Sequence, residues 1–111
     1  MAISRIGCEA SIEIINKQSG YHTPKDHIFV RTVSENIKKV LGHSLPFAGE
    51  LGGNDGSFFA KNRIPVICHG TIRADTRFHG VNEFVYLEDI KYIRDLLVNL
   101  GKVSREKILF K

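Results

Sequence analysis

A chain of 111 residues has room for one domain with a modest core. Its apolar fraction, 42%, is ordinary globular usage and argues against wholesale disorder. The 16 basic and 12 acidic residues give +4 with no long run of like charge, and neither a signal-like start nor an apolar stretch of about 18 residues occurs; the expectation is a cytoplasmic protein that binds no nucleic acid and no membrane.

In chain order, Glu9 to Ile15 alternates and then turns apolar, which predicts a strand with Ala10, Ile12 and Ile14 on one face. Asn16 to Gly20 reads as a polar turn. A helix follows, with Thr23 as cap, Pro24 at the first helical position and Asp26 in the first turn. Its apolar stripe is Phe29, Val33, Ile37, Val40 and Leu41, and Gly42 ends it. Leu45 to Leu51 is a short strand candidate that Pro46 confines to an edge or a strand start.

Gly52 and Gly53 allow a tight turn, after which Asn54 or Asp55 caps a short helix through Phe58, Phe59 and Ala60. Ile64 to Cys68 reads as a strand buried on both faces. Beyond a loop from His69 to Gly80, Phe84, Val85 and Leu87 are briefly extended. Glu88 and Asp89 then open a last helix with the stripe Ile90, Ile93, Leu96, Leu97 and Leu100, stopped by Gly101. Lys102 to Lys111 is a short extra strand or a frayed end. Strands alternating with helices predict an α/β layered fold. The composition change near Gly20 to Thr23 is the one candidate boundary.

The residues that offer chemistry lie late in the chain. His79 sits in a loop after a predicted central strand, where a neutral imidazole can bind zinc, with Asp75 and Glu83 near in sequence. The competing reading is a loop histidine bonded to backbone, because a catalytic zinc typically takes three protein ligands. Gly52 to Ser57 offers consecutive backbone N–H groups to a carboxylate or phosphate, or is an ordinary turn with a cap; no Gly-Lys-Ser/Thr follows to make a phosphate loop. Arg73 and Arg77 either fork onto a substrate carboxylate or stand solvated. His22, His27, His43 and His69 show no metal-ligand spacing. Cys8 and Cys68 form no CxxC pair and read as free thiols in a reducing compartment.

Together these parts are more specific than any one of them. The turn GGNDGSFFA, the strand IPV, a Gly-containing loop, then HGVNE followed by Val85 and an acidic helix start, resemble the C-terminal end of the dinuclear-zinc aminoacylase, desuccinylase, deacetylase and carboxypeptidase G2 superfamily. The loop GTIRADTRFHGVNEFV is most similar to the succinyl-diaminopimelate desuccinylase branch. The resemblance runs from about Glu9 to Leu100. It implies part of a three-layer α/β/α sandwich, with residues 1–20 closing an inserted lid or dimerisation domain and residues 21–111 forming the C-terminal part of the catalytic domain. It also implies that His79 is a zinc ligand, that Gly52, Gly53, Asn54 and Asp55, with Arg73, lie beside the carboxylate of an amide substrate, and that Asn82 and Glu83 fix the metal-binding loop.

Two departures bear on function. Ser57 stands where many desuccinylases carry an Arg, and Gly53 and Asn54 replace the usual Thr-containing step before the Asp, so substrate identity is open. No His is followed two residues later by Asp, and no two glutamates are adjacent, so the family's bridging carboxylate and general base are missing. The expectation is a piece of a zinc-dependent amide hydrolase, inactive alone, that associates with itself or with the missing N-terminal portion. The alternative is a stand-alone module that uses the inherited unit to bind a small ligand or a protein.

Overall fold

Helix α1 spans Ile28–Leu41 in the computed structural model, which describes Gly7 and residues 11–103. It starts later than the sequence predicts. Pro24 to His27 forms a turn closed by the His27 N–H on the Pro24 carbonyl (3.0 Å), and His27 becomes the cap, its Nδ1 accepting from the Phe29 N–H at 3.1 Å. Thr23 is not available as a cap because its hydroxyl is engaged elsewhere. The far end behaves as expected: Gly42 adopts a left-handed φ of 82° and its N–H returns to the Lys38 carbonyl.

Helix α2, Gly56–Lys61, is a short stub; helix α3 spans Leu87–Gly101. Glu88 and Asp89 lie in the first turn of α3, where negative charge complements the free N–H groups. Gly101 is the last helical residue rather than the residue past the end, and Lys102 caps it.

The core lies between α1 and α3. Val33, Ile37 and Leu96 are buried together, and Phe29, Leu41, Leu45, Ile67, Tyr92 and Leu100 pack against them. On α1, Val30, Thr32 and Asn36 are buried as well. The Asn36 amide is satisfied by the Thr32 carbonyl one turn back (2.8 Å), which is why a polar residue is tolerated there.

The predicted α/β sandwich is not formed. Among the described residues there are three helices and no strand. Residues 11–15, Leu45 to Leu51, Ile64 to Cys68 and Phe84 to Val85 all lie outside regular structure, and Leu87, expected to be extended with the last of these, is the first residue of α3; Glu9 and Ala10 of the first predicted strand, and most of the tail after Lys102, fall outside the described residues. The reason is physical. A strand exists only through ladder bonds to a neighbour about 4.8 Å away, and these segments do not bond to one another's backbone. The nearest substitute is Thr23, whose Oγ1 donates to the Val66 carbonyl (2.7 Å) and accepts from the Val66 N–H (3.0 Å), one side chain serving both backbone groups.

Among the described residues, no helix is long and apolar enough to cross a membrane.

Candidate functional site

The turn before α2 is held by side chains from the segment that precedes α1. Asn54 is its hub. Its Oδ1 accepts from the Tyr21 hydroxyl (2.9 Å) and from the Gly56 N–H (2.9 Å), and its Nδ2 donates to Glu50 (3.1 Å). Gln18 Nε2 donates to the Asn54 carbonyl and to Ser57 Oγ, the latter at 2.6 Å. Asp55 occupies the cap position of α2 without a side-chain bond, so the capping is done by Asn54. Gly56 lets these side chains close in: a Cβ there would meet Tyr21 Oη at 2.6 Å and Asn54 Oδ1 and Val66 Cγ1 at 2.7 Å, and all three would have to shift.

Gly52, Gly53 and Asn54 border a cavity of about 1100 Å³ between the segment around Gln18 to Thr23, α1 and the extended residues 66–69. Cys68 faces it too, and the Glu50 carboxylate beside it, with partial burial, holds the thiol pKa above its ordinary value. His69 borders it too. Its Nε2 lies 2.6 Å from Tyr92 Oη on α3, with the rings edge to face at 5.6 Å.

Partial desolvation where the two rings meet pushes the His69 pKa below the ordinary imidazole value and the Tyr92 pKa above the ordinary phenol value, so the neutral pair is favoured. The hydrogen bond survives protonation by reversing direction, and desolvation alone sets the sign. A histidine whose folded pKa is lowered contributes stability above its unfolded value near 6.5 and loses it as pH falls through the folded value. Between pH 7.5 and pH 5 the wild type is therefore expected to lose more thermal stability than His69→Gln, by no more than about 3 °C in Tm because the residue is largely exposed. Parallel melting curves of the two proteins measure this. A wild type that loses no more than the variant would remove His69 as the cause.

His79 lies elsewhere, in the loop from Thr76 to Phe84, and does not border the cavity. Thr76 is almost fully buried, at 2% exposure, and ties the base of the loop. Its Oγ1 accepts from the Arg73 N–H (3.1 Å) and donates to the Arg73 carbonyl (2.8 Å), and its own carbonyl accepts the Phe84 N–H (3.2 Å). Between these anchors Arg77, His79 and Asn82 all have left-handed φ, at 57°, 59° and 58°. Such a φ costs an ordinary non-glycine residue such as Arg77 roughly 1–2 kcal/mol and costs His79 and Asn82 less, so the loop carries modest strain on either side of His79. The Gly80 N–H closes on the Arg77 carbonyl at 2.6 Å.

His79 itself is exposed, with its ring 4.0 Å from that of Phe78. Glu83 Oε2 accepts its backbone N–H at 3.3 Å. Among the described residues the imidazole nitrogens have no hydrogen-bond partner, and no three His, Cys, Asp or Glu side chains stand close enough to hold a metal ion together. The described residues therefore do not fit a dinuclear centre; they offer one imidazole.

The structure thus separates the expected site into three places. Gly52, Gly53 and Asn54 are at the cavity; His79, Asn82 and Glu83 share the strained loop; Arg73 reaches neither. Its guanidinium forks onto Asp89, with Nε to Oδ2 at 2.7 Å, bonds Glu88 at 2.9 Å, and lies 4.3 Å over the Tyr86 ring. Donation to the Asp89 carboxylate holds the Arg73 pKa above its ordinary value. Residues that the sequence did not single out do much of the positioning. Gln18, Tyr21 and Thr76 are isolated polar residues in irregular segments, with no periodicity or motif to flag them, and Thr23, expected as a helix cap, binds both backbone groups of Val66 instead.

The comparisons with known proteins agree with the motif reading. The model of peptidase family M20/M25/M40 matches residues 4–102. Peptidase T of Fusobacterium nucleatum subsp. nucleatum is 29% identical over 83 residues, covering 75% of this chain and 20% of that protein. Succinyl-diaminopimelate desuccinylase of Wolinella succinogenes is 28% identical over 96 residues, covering 86% of this chain and 26% of that protein. The chain thus spans about a quarter or less of the length of these curated relatives. No solved structure matches. With nearly its whole length accounted for by one model, and with the GGNDG turn and the HGVNE loop inside the match, the chain belongs to peptidase family M20/M25/M40.

Proposed function

We propose that the chain is the C-terminal portion of a zinc-dependent amide hydrolase of the desuccinylase or deacetylase kind, and that it does not hydrolyse substrate alone. In this reading His79 contributes one metal ligand, Asn82 and Glu83 hold its loop, and the Gly52 to Asp55 turn lies beside the substrate carboxylate. A metal in such a hydrolase activates water and polarises the scissile carbonyl. What this chain's own residues supply is an exposed imidazole on a tensioned loop and a turn whose Asn54 is locked by Gln18, Tyr21 and Glu50. The observation that carries the reading is the position of His79: it opens the HGVNE stretch inside the span the family model matches, in a left-handed conformation, with its ring free of bonds among the described residues.

Calorimetric titration of the chain with zinc tests it. The expected result is weak binding of at most one ion per chain, with millimolar zinc moving the His79 ring signals in an NMR spectrum. Two tightly bound zinc ions per chain would overturn it. The alternative, a stand-alone small-ligand module, draws support from the cavity beside Asn54. Saturable binding of a dicarboxylate such as succinate in the absence of metal would select it.

A further inference from the structure

The Arg73 cluster has no part in the function just described. Its geometry is nevertheless closed. The guanidinium grips the first turn of α3 through Asp89 and Glu88, and its face covers Tyr86. The Tyr86 hydroxyl donates to Asp75 Oδ2 at 2.6 Å, which returns the contact to the loop two residues after Arg73. Thr76 then bonds both backbone groups of Arg73 and, through its carbonyl, the Phe84 N–H. Residues 73–76 are thereby clamped to 84–89, and the seven residues between Thr76 and Phe84 become a short closed loop with His79 near its middle.

Resting on the reading of His79 as a metal ligand, we propose that Arg73 is a positioning residue: its fork onto Asp89, with the Thr76 tie, holds the Thr76 to Phe84 loop in the strained conformation that aims His79 outward. A fork is required because Asp89 is met by two guanidinium nitrogens in one plane, a geometry an ammonium cannot reproduce. The strain gives the clamp a task. Three left-handed residues within six favour relaxation of the loop, and the two backbone bonds that close it are few. Arg73 supplies the restraint from outside the loop. A substrate carboxylate would have to displace two carboxylates of the chain itself to reach this guanidinium.

Amide hydrogen exchange on the full-length chain tests the proposal. In Arg73→Met the Gly80 and Phe84 amides, which close the loop, are expected to exchange at least tenfold faster, while the Gly42 and Ile37 amides of α1 stay within twofold of wild type. Arg73→Lys, which keeps the charge, is expected to behave like Arg73→Met; full rescue by Lys would reduce the role to bulk charge and overturn the fork. Asp89→Asn is expected to give the same loop opening, and it decides the matter alone if Arg73→Met fails to fold. Unchanged exchange at Gly80 and Phe84 in Asp89→Asn would overturn the proposal. Zinc-induced shifts of the His79 ring are measured on the same samples and are expected to fall at least threefold in Arg73→Met. If wild-type His79 does not respond to zinc at all, the ligand reading fails, whereas an opened loop in the variants still establishes the clamp.

Discussion

Leu96→Ala is expected to abolish the folded α1–α3 pair. Leu96 is 3% exposed and is the one buried residue that α3 contributes to the core. Its partners Val33 and Ile37 belong to α1, and among the described residues these three with Val30 are the whole buried apolar set. Truncating a buried leucine costs about 2–5 kcal/mol, through lost transfer energy and the cavity left behind. A typical domain has only roughly 5–15 kcal/mol in total, and a core of this size sits at the bottom of that range. Helical circular dichroism followed through a urea titration measures the effect, and a sloping curve with no cooperative transition is expected. Leu97→Ala is the internal control. The neighbouring leucine is 61% exposed, and its truncation is expected to cost within about 0.5 kcal/mol. Equal behaviour of the two variants would mean that α1 and α3 do not form the core.

Much of the helical architecture was legible in the sequence, and the reason is local. The stripe that includes Val33 and Ile37 marks the buried face of α1, and Gly42 marks its end, because periodicity and a left-handed cap depend on residues within a few positions of one another. The N-terminal boundary slipped by one turn because Thr23 had a better use. Its hydroxyl serves both backbone groups of Val66, 43 residues away, a demand that local propensity cannot register. On α3 the stripe was right for Leu96 and Leu100 but too wide, since Ile90 and Leu97 are largely exposed.

The strands failed for a deeper reason. Alternation such as that of Ala10, Ile12 and Ile14 states which face of a segment is apolar; it does not state that a neighbour is present to pair with it. Val66 and Ile67 are partly buried, as the apolar run IPVIC requires, yet the burial comes from α1, Thr23 and the loop side chains rather than from a ladder. The candidate site divides along the same line. The GGNDG turn and HGVNE loop were found because a family motif is written in consecutive residues. Gln18, Tyr21 and Thr76, which hold those motifs in place, act across sequence distance or by burial alone and carry no motif.

The apolar surface left uncovered leads to the other large effect, self-association. Four apolar residues are buried among the described residues, whereas eighteen large ones are exposed, including Ile12 at 72%, Ile14 at 76%, Ile15 at 89%, Phe47 at 62% and Leu51 at 108%. Single exposed apolar side chains are ordinary, but a set that outnumbers the core several times is not, and burial of each is worth about 1.5–3 kcal/mol. The net charge of +4 is too small to keep such surfaces apart at physiological salt. Light scattering of the chain is expected to give a mass above the 12.5 kDa monomer that rises with protein concentration. Replacing Ile12, Ile14 and Ile15 by Ser is expected to lower the association constant at least tenfold by removing exposed apolar surface, and to leave folding intact, because none of the three packs against the α1–α3 core. A wild-type chain that stays at 12.5 kDa across a hundredfold concentration range would mean that these side chains need no partner, and the proposal that this chain works only as part of a larger hydrolase would lose its physical driving force.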